Sequence, residues 1–208
     1  MNRLLLIRHA LNDWVGKRIA GWTPGVVLNE EGREQAARLA EWLEPVPLEA
    51  VYSSPLERAV ETAEPIARSH GLETVTRESI GESRYGELDG KPIEEIFKTD
   101  LWEQWRLHPS RTRFPGAETT YEVQVRVVSE LEQILQDHPE GNIAVVSHAD
   151  PIRLAAAYYI GLALDLVGRL WVSPASVTVV RFDEWGPRLT HLSHTGSLEF
   201  LTRKQSSS

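Results

Sequence analysis

Residues 4–9 of the chain read Leu-Leu-Leu-Ile-Arg-His, a short apolar run that ends directly on two polar side chains. Four consecutive apolar residues indicate a strand buried on both faces, which is typical of a parallel sheet covered by helices. Residues 50–53 and 142–146 form two further apolar runs that also end on polar residues. These runs predict three buried strands, each with polar groups at its carboxyl end.

Helical patterns separate the predicted strands. Asn29 followed by two glutamates predicts a helix start, and apolar residues at helical spacing continue until Pro45. The other predicted elements are helices from Pro55 to Gly71, over 118–136 and over 151–160, and strands over 72–75, 176–182 and 188–192. Strands that alternate with helices predict an α/β fold, a three-layer sandwich with a mostly parallel central sheet and helices on both faces.

Residues 80–117 differ from the rest of the chain because glycines and prolines are frequent there. This composition predicts short helices and loops, which form an insertion rather than a layer of the sheet. We therefore predict a single domain over residues 1–204 that contains this insertion. The polar residues 205–208 are expected to form a disordered tail.

The composition excludes several functional classes. The chain lacks cysteine, so disulfides, zinc–thiolate sites and thiol catalysis are excluded. The net charge of −8 argues against a nucleic-acid partner. It remains compatible with an anionic small molecule, because a few arginines in one cleft can dominate the local field. Apolar runs are too short for a membrane helix and charges break the first run early, so we expect a cytoplasmic protein without a membrane partner.

Polar side chains follow each of the three apolar runs. Arg8 and His9 follow the first run, Arg58 lies shortly after the second, and His148 follows the third. Because the carboxyl ends of parallel strands meet at one edge of a sheet, we expect these side chains to converge on one crevice. Glu82 begins the irregular insertion, which is placed to cover the same edge.

Each of these groups also has an ordinary explanation when it is taken alone. Ser54 before Pro55 is typical of a helix cap, with serine at the N-cap and proline in the first turn. Arg58 and Glu82 would usually be solvated surface residues. The case for a shared site therefore depends on their joint order and placement.

The chain resembles the histidine phosphatase superfamily, the phosphoglycerate-mutase-like phosphatases, over nearly its whole length. The matching segments occur in the family's order. They are LLLIRHA (4–10), RIAGWTPGVVLNEEGREQA (18–36), VYSSPLERAVETA (51–63), IGESRYGELDG (80–90), FPGAET (114–119) and AVVSHADPIR (144–153).

The resemblance implies a fold of the phosphoglycerate-mutase type and a reaction without a metal or other cofactor. His9 would attack phosphorus and form a phosphohistidine, since neutral imidazole is a competent nucleophile at neutral pH. Arg8, Arg58 and His148 would hold the oxygens of the transferring phosphoryl group. Glu82 would protonate the leaving oxygen and would later activate water.

Some positions depart from the family pattern. Ala10 stands where a glycine usually follows the nucleophile, and Asn12 is the better match to an asparagine that contacts phosphate. Ala149 replaces the glycine after the second histidine, and we assign Asn12 and Ala149 to substrate binding. Asp150 is predicted to cap the helix that begins at Pro151; orienting the second histidine or meeting a base on the substrate are the alternatives.

The periphery of the expected site has a basic character. Arg18 and Gly21 lie where the family carries a loop that reaches toward the substrate, and we assign both to substrate binding. Between residues 98 and 113 the insertion carries five basic or histidine residues, which form either a solvated face or a second anion site. They are Lys98, Arg106, His108, Arg111 and Arg113.

Other residues give no sign of a metal site. His191 and His194 are three positions apart in a predicted strand, so they are expected to point to opposite faces. Trp171 and Trp185 either mark an interface of a homodimer or fill the core.

Together these observations predict a phosphatase that hydrolyses a small phosphorylated metabolite. Two alternatives remain: a phosphoglycerate mutase with the same His9 chemistry, and a phospho-ligand binding module that has lost activity. The mutase is ranked second because the insertion is short. The presence of every catalytic residue type argues against the inactive module.

Overall fold

The computed structural model describes residues 2–202. Within this range six strands form one sheet. They are β1 (Asn2–Arg8), β2 (Leu48–Ser53), β3 (Thr74–Thr76), β4 (Gly141–Ser147), β5 (Val177–Asp183) and β6 (Gly186–His194). The strand order is β3-β2-β4-β1-β5-β6. The first four strands in this order pair in parallel, whereas β5 and β6 are antiparallel to their neighbours. The predicted tail at 205–208 lies outside the described residues.

The helices match the predicted alternation with the strands. They are α1 (Glu30–Leu43), α2 (Glu57–Ser69), α3 (Ile93–Ile96), α4 (Asp100–Leu107), α5 (Thr120–Asp137) and α6 (Ala149–Tyr159). The Asn29 side chain caps α1 by accepting a hydrogen bond from the amide of Gly32, as predicted. Within residues 2–202, none of the helices combines the length and apolar composition needed to span a bilayer.

The apolar run of β1 belongs to two cores at once. Leu4 and Leu6 pack with α5 and α6 on one face of the sheet. Leu5 and Ile7 pack with α1 and α2 on the other face. All four side chains are buried, and each stabilises the fold by about 1.5–3 kcal/mol. The predicted three-layer α/β sandwich is confirmed.

The register of the sheet brings the carboxyl ends of three strands together. Arg8 at the end of β1 pairs with Ser147 at the end of β4, and Ser53 at the end of β2 pairs with Val146. The loops that leave these strands therefore start from the same edge. Between β3 and α5 the chain forms two 3-10 turns and the short helices α3 and α4.

The last strand departs from the predicted alternation. Ser193 adopts a positive φ of 53°, and the pairing of β5 with β6 shifts register nearby. The rings of His191 and His194 consequently lie 5.8 Å apart, and both contact Phe200. The prediction that these histidines point to opposite faces is wrong, because the bulge breaks the two-residue period. Among the described residues no group of three or more metal-ligating side chains is clustered.

Two tryptophans lie on the surface rather than in the core. Trp171 is 73% exposed and Trp185 is 77% exposed. They do not fill the core, and the homodimer stays a prediction.

Candidate active site

A cavity of about 510 Å³ opens at the carboxyl ends of β1, β2 and β4. The predicted site residues that line it are Arg8, His9, Asn12, Arg18, Gly21, Arg58, Glu82 and Ala149. His148 is the exception, since it is fully buried. Its ring centroid lies 5.1 Å from that of His9. The structure thus brings the residues selected from the sequence to one place.

His9 is held in one orientation and one tautomer. Its amide donates a hydrogen bond to the Ser147 carbonyl at 2.9 Å. Its Nδ1 lies 2.7 Å from the Ala10 carbonyl, an acceptor that requires the proton on Nδ1. Burial, and then the charges of Arg58 and Arg8, lower the pKa of His9 well below 6.5. The ring is therefore neutral at neutral pH, and Nε2 keeps a free lone pair.

Two buried arginines flank this imidazole. Arg58 is fully buried, and its Nη2 donates to the Gly21 carbonyl at 2.8 Å. Arg8 donates from Nη1 to the Val172 carbonyl at 2.7 Å. Within residues 2–202, Nε and Nη1 of Arg58 and Nε of Arg8 are buried without a hydrogen-bond partner. Buried cationic donors of this kind are suited to hold an anion.

His148 is the N-cap residue of α6 and is oriented by a serine. Its Nε2 lies 2.8 Å from Ser54 Oγ, and its Nδ1 has no partner among the described residues. Burial, followed by the charge of Arg58, lowers the pKa of His148 well below its ordinary value. The ordinary explanation of Ser54 as the N-cap of α2 does not hold, because that helix begins at Glu57 with Leu56 as its N-cap. The serine side chain makes a tertiary contact with His148 instead.

The segment after His9 presents one more buried donor. Asn12 accepts a hydrogen bond from the Trp14 amide at 2.9 Å, and its Nδ2 is buried without a partner in the described part of the chain. The φ of Ala10 is not positive, and the Ala10 amide donates to Thr62 Oγ1 at 3.0 Å. Alanine therefore replaces the family's glycine at this position without backbone strain. Sequence reasoning missed this role of Thr62, which lies between Glu61 and Ala63 on α2.

Glu82 is buried beside these groups and carries a strongly shifted pKa. Its Oε1 accepts a hydrogen bond from the Ser83 amide at 2.9 Å. Burial, and then the negative charge of Asp150, raise the pKa of Glu82 to about 7. The charges of Arg58 and Arg8 oppose this shift but do not cancel it. A carboxyl group with this pKa can both donate and accept a proton near neutral pH.

The turn that carries Glu82 is clamped by Arg126 of α5. Arg126 donates to the carbonyls of Ser79, Gly81 and Glu82 at 2.8, 2.9 and 2.9 Å. Its guanidinium is held in turn by the Glu118 carboxylate. The sequence indicated only a polar position on an amphipathic helix, so this role was missed.

Asp150 does not cap α6. The helix begins at Ala149 with His148 as its N-cap, which places Asp150 inside the first turn. The carboxylate accepts a hydrogen bond from Tyr85 Oη at 2.6 Å and forms an ion pair with Arg153. The predicted cap is wrong because these long side chains satisfy the carboxylate. Neither Tyr85 nor Arg153 was selected from the sequence.

The predicted peripheral residues have different surroundings. Arg18 lines the cavity, donates to the Gly90 carbonyl at 2.8 Å and lies over the Trp14 ring. The basic residues of the insertion, by contrast, are exposed and lie outside the cavity lining. Arg106, for example, pairs with Glu103 at 2.6 Å. The hypothesis of a second anion site in the insertion gains no support.

We expect Gly21→Ala to destabilise the protein by about 1–3 kcal/mol and to raise KM. Gly21 has a φ of +46°, and a Cβ at this position would overlap the Asp89 carboxylate. Its carbonyl also holds Arg58, so displacement would disturb that guanidinium. Urea unfolding and steady-state kinetics measure both effects. Gly168→Ala is the control, since its added Cβ would meet open space, and equal unfolding curves for the two variants would contradict the prediction.

Comparison with known proteins identifies the family of the chain. The sequence profile of the histidine phosphatase superfamily (branch 1) matches residues 4–195. Phosphoserine phosphatase 1 of Hydrogenobacter thermophilus is 32% identical over 188 residues, which covers 88% of each chain. A 2,3-bisphosphoglycerate-dependent phosphoglycerate mutase of Thermoplasma acidophilum is 31% identical over 181 residues, or 86% of this chain and 87% of that one.

A solved structure agrees at the level of the fold. Bacillus stearothermophilus YhfR superimposes with a TM-score of 0.88 and 26% identity, covering 94% of this chain and 98% of that one. The predicted phosphoglycerate-mutase-like fold and the predicted enzyme class, a phosphatase, are both confirmed. The chain belongs to the histidine phosphatase superfamily.

Proposed function

We propose that the enzyme hydrolyses a phosphate monoester of a small metabolite through a phosphohistidine on His9. One observation carries this proposal. A neutral imidazole, fixed by the Ala10 carbonyl, lies among buried donors of Arg8, Arg58 and Asn12 that have no partner in the described structure. Such donors fit the charge that spreads over the oxygens of a transferring phosphoryl group.

The first half of the reaction forms the phosphoenzyme. Nε2 of His9 donates its lone pair to phosphorus, and the bond between phosphorus and the ester oxygen breaks. Glu82 transfers its proton to that oxygen, so the product leaves as a neutral alcohol. A pKa of about 7 keeps a large fraction of Glu82 protonated at neutral pH.

The second half regenerates the enzyme. Glu82, now a carboxylate, takes a proton from water while the water oxygen attacks phosphorus. The bond between phosphorus and Nε2 breaks, and inorganic phosphate leaves. Glu82 is then protonated again, and His9 is neutral as at the start.

His148 and Ser54 complete the phosphoryl site in this proposal. The Ser54 hydroxyl accepts a weak hydrogen bond from the Leu56 amide at 3.3 Å, which leaves its proton free for Nε2 of His148. His148 would then carry its own proton on Nδ1, the ring atom without a partner in the described residues. A buried N–H donor of this kind stabilises developing negative charge.

Relatives named for phosphoserine and phosphoglycerate support a small phosphorylated metabolite as the substrate class. Arg18, Gly21 and Ala149 would then contact the part of the substrate beyond the phosphate, since all three line the cavity. A metabolite of this kind fits the cytoplasmic location expected from the sequence.

Hydrolysis of p-nitrophenyl phosphate in the presence of EDTA tests the proposal. We expect the rate to be unchanged by the chelator, because His9 and the arginines supply the nucleophile and the charge that a metal would otherwise provide. Release of p-nitrophenolate is followed by absorbance, with a magnesium-dependent phosphatase as a positive control for chelation. Activity that disappears with EDTA and returns with added Mg²⁺ would contradict the mechanism.

A mutase activity is the second candidate, because one relative at 31% identity is named as a phosphoglycerate mutase. A mutase must return the phosphoryl group to the bound product before water reaches it. Incubation with 3-phosphoglycerate distinguishes the two activities. Hydrolysis yields inorganic phosphate, whereas fast formation of 2-phosphoglycerate with little free phosphate would favour the mutase.

A further inference from the structure

The cavity beside His9 is lined by more than the phosphate-holding residues. Most of its remaining lining is apolar and comes from the loop after β1, the insertion and the segment before β5. It includes Val15, Ile19, Phe97, Trp102, Trp105 and Trp171. A polar centre surrounded by apolar lining is the usual form of a site that encloses the body of an organic ligand.

Aromatic rings of the insertion form a continuous row along this lining. The rings of Phe97 and Trp102 stack at 4.5 Å between centroids, and those of Trp102 and Trp105 stack at 5.1 Å. Phe114 extends the row at 6.1 Å from Trp105. The row therefore presents ring faces and edges that a flat apolar group can contact.

The fold itself does not account for these tryptophans. None of the residues of α4 is buried, and Trp102 and Trp105 belong to neither of the two large cores. Phe97 is 53% exposed although it is large and apolar. Contiguous exposed apolar surface inside a cleft marks a binding surface more often than a structural one.

Beyond the two arginines that hold the phosphate, the described lining offers a second anionic group only Arg18 and Arg153, and both already have partners. Arg8 and Arg58 are placed for the phosphate. Arg18 is engaged by the Gly90 carbonyl and the Trp14 ring, and Arg153 is engaged by Asp150. In the described lining, no further cation is present to bind a carboxylate.

The size of the cavity also favours a substrate with a large apolar part. Its volume of about 510 Å³ falls within the range of roughly 300–1,000 Å³ that is usual for sites enclosing drug-sized ligands. A phosphate ester with a three-carbon body is much smaller than such a ligand and would leave the aromatic row uncovered.

We propose that the substrate is a phosphate monoester whose alcohol part carries an apolar ring system. The phosphoryl group lies at His9, and the ring system packs against Trp102 and Trp105. This inference rests on the proposed function, because it names the leaving group of the same hydrolysis. Release of that alcohol needs no group beyond those already assigned.

A matched pair of substrates tests the inference. 3-Phenylpropyl phosphate and propyl phosphate both release a primary alcohol, so the chemical step is closely similar and only the ring differs. Burial of a phenyl group in an apolar site is expected to raise kcat/KM about 10- to 100-fold over the propyl ester. Binding of the corresponding phosphonates, measured by calorimetry, should show the same preference without turnover.

Variants locate the preference in the cavity. Trp102→Ala and Trp105→Ala should each reduce the ratio of kcat/KM between the two esters by about tenfold, mainly through KM of the phenylpropyl ester. Phe97→Ala should reduce the ratio in the same direction, and because Phe97 is 53% exposed we expect this variant to fold like the wild type. Trp185→Ala is the matched control, since Trp185 is exposed and lies outside the cavity lining.

The outcomes separate this inference from the function on which it rests. Equal kcat/KM for the two esters, with both hydrolysed, would overturn the apolar substrate class and leave the phosphatase intact. A ratio that survives all three aromatic variants would also overturn it. Hydrolysis of neither ester, nor of p-nitrophenyl phosphate, would overturn the proposed function together with the inference.

Discussion

His9→Ala is expected to reduce kcat/KM for p-nitrophenyl phosphate by at least about 10⁴-fold. The reason is that, within residues 2–202, no other imidazole is placed to take its role. His148 is fully buried, its Nε2 is engaged by Ser54, and its ring centroid lies 5.1 Å from that of His9. The remaining arginines can still bind the phosphate, so the loss should appear in kcat more than in KM.

Two measurements check this result. Steady-state assays give kcat and KM, and mass spectrometry after rapid acid-free quenching should detect one phosphoryl group on the wild-type protein and none on the variant. His108→Ala is the control, because His108 is exposed on the insertion. A His9→Ala variant that still forms a phosphoenzyme would show that another residue is the nucleophile.

Glu82→Gln is expected to reduce kcat by about 10²- to 10⁴-fold for an alkyl phosphate, whose leaving oxygen must be protonated. For the wild-type enzyme, kcat/KM should fall as the pH rises through about 7, because Glu82 then loses the proton that it donates. The variant should lack this pH dependence. Glu87→Gln, an exposed carboxylate of the same insertion, is the control. A wild-type profile that is flat through neutral pH would contradict the assignment.

The same substitution should change the pH dependence of stability. The pKa of Glu82 is raised from 4.5 in the unfolded chain to about 7 in the folded protein, so the folded state binds more protons between these values. The corresponding stabilisation is fully present below pH 4.5 and is lost as the pH rises through about 7. Urea unfolding should therefore show a weaker decline across this window for Glu82→Gln than for the wild type.

The buried strands were predictable because their signal is local. The apolar run of β1 serves two cores, which requires apolar side chains at every position from Leu4 to Ile7. The cap of α1 was equally clear, since the Asn29 side chain acts within its own turn. The bulge at Ser193 gave no such signal, because serine at positive φ is set by the pairing of β5 with β6.

The same distinction between local and distant signals applies to the residues of the site. His9, Arg58 and His148 could be selected because each follows a strand whose end position is fixed by the sheet. The cap predicted at Asp150 and the capping pattern at Ser54 are not observed, since local capping rules compete with contacts to distant side chains. Ser54 meets a residue 94 positions away, and Asp150 meets one 65 positions away. Contacts between residues so far apart in the sequence depend on the assembled fold and cannot be predicted from a short window of sequence.

The Arg126 clamp has a consequence for how enzymes of this design can diversify. In the turn that carries Glu82, Arg126 binds the backbone carbonyls of residues 79, 81 and 82, so this contact does not depend on the side chains of the segment that follows. Residues 91–113 can therefore accumulate substitutions that alter which alcohol is accepted while the proton donor keeps its place. Substrate specificity can then change while the proton donor stays in position. Exchanging residues 91–113 between relatives is a direct route to enzymes with new substrate preferences.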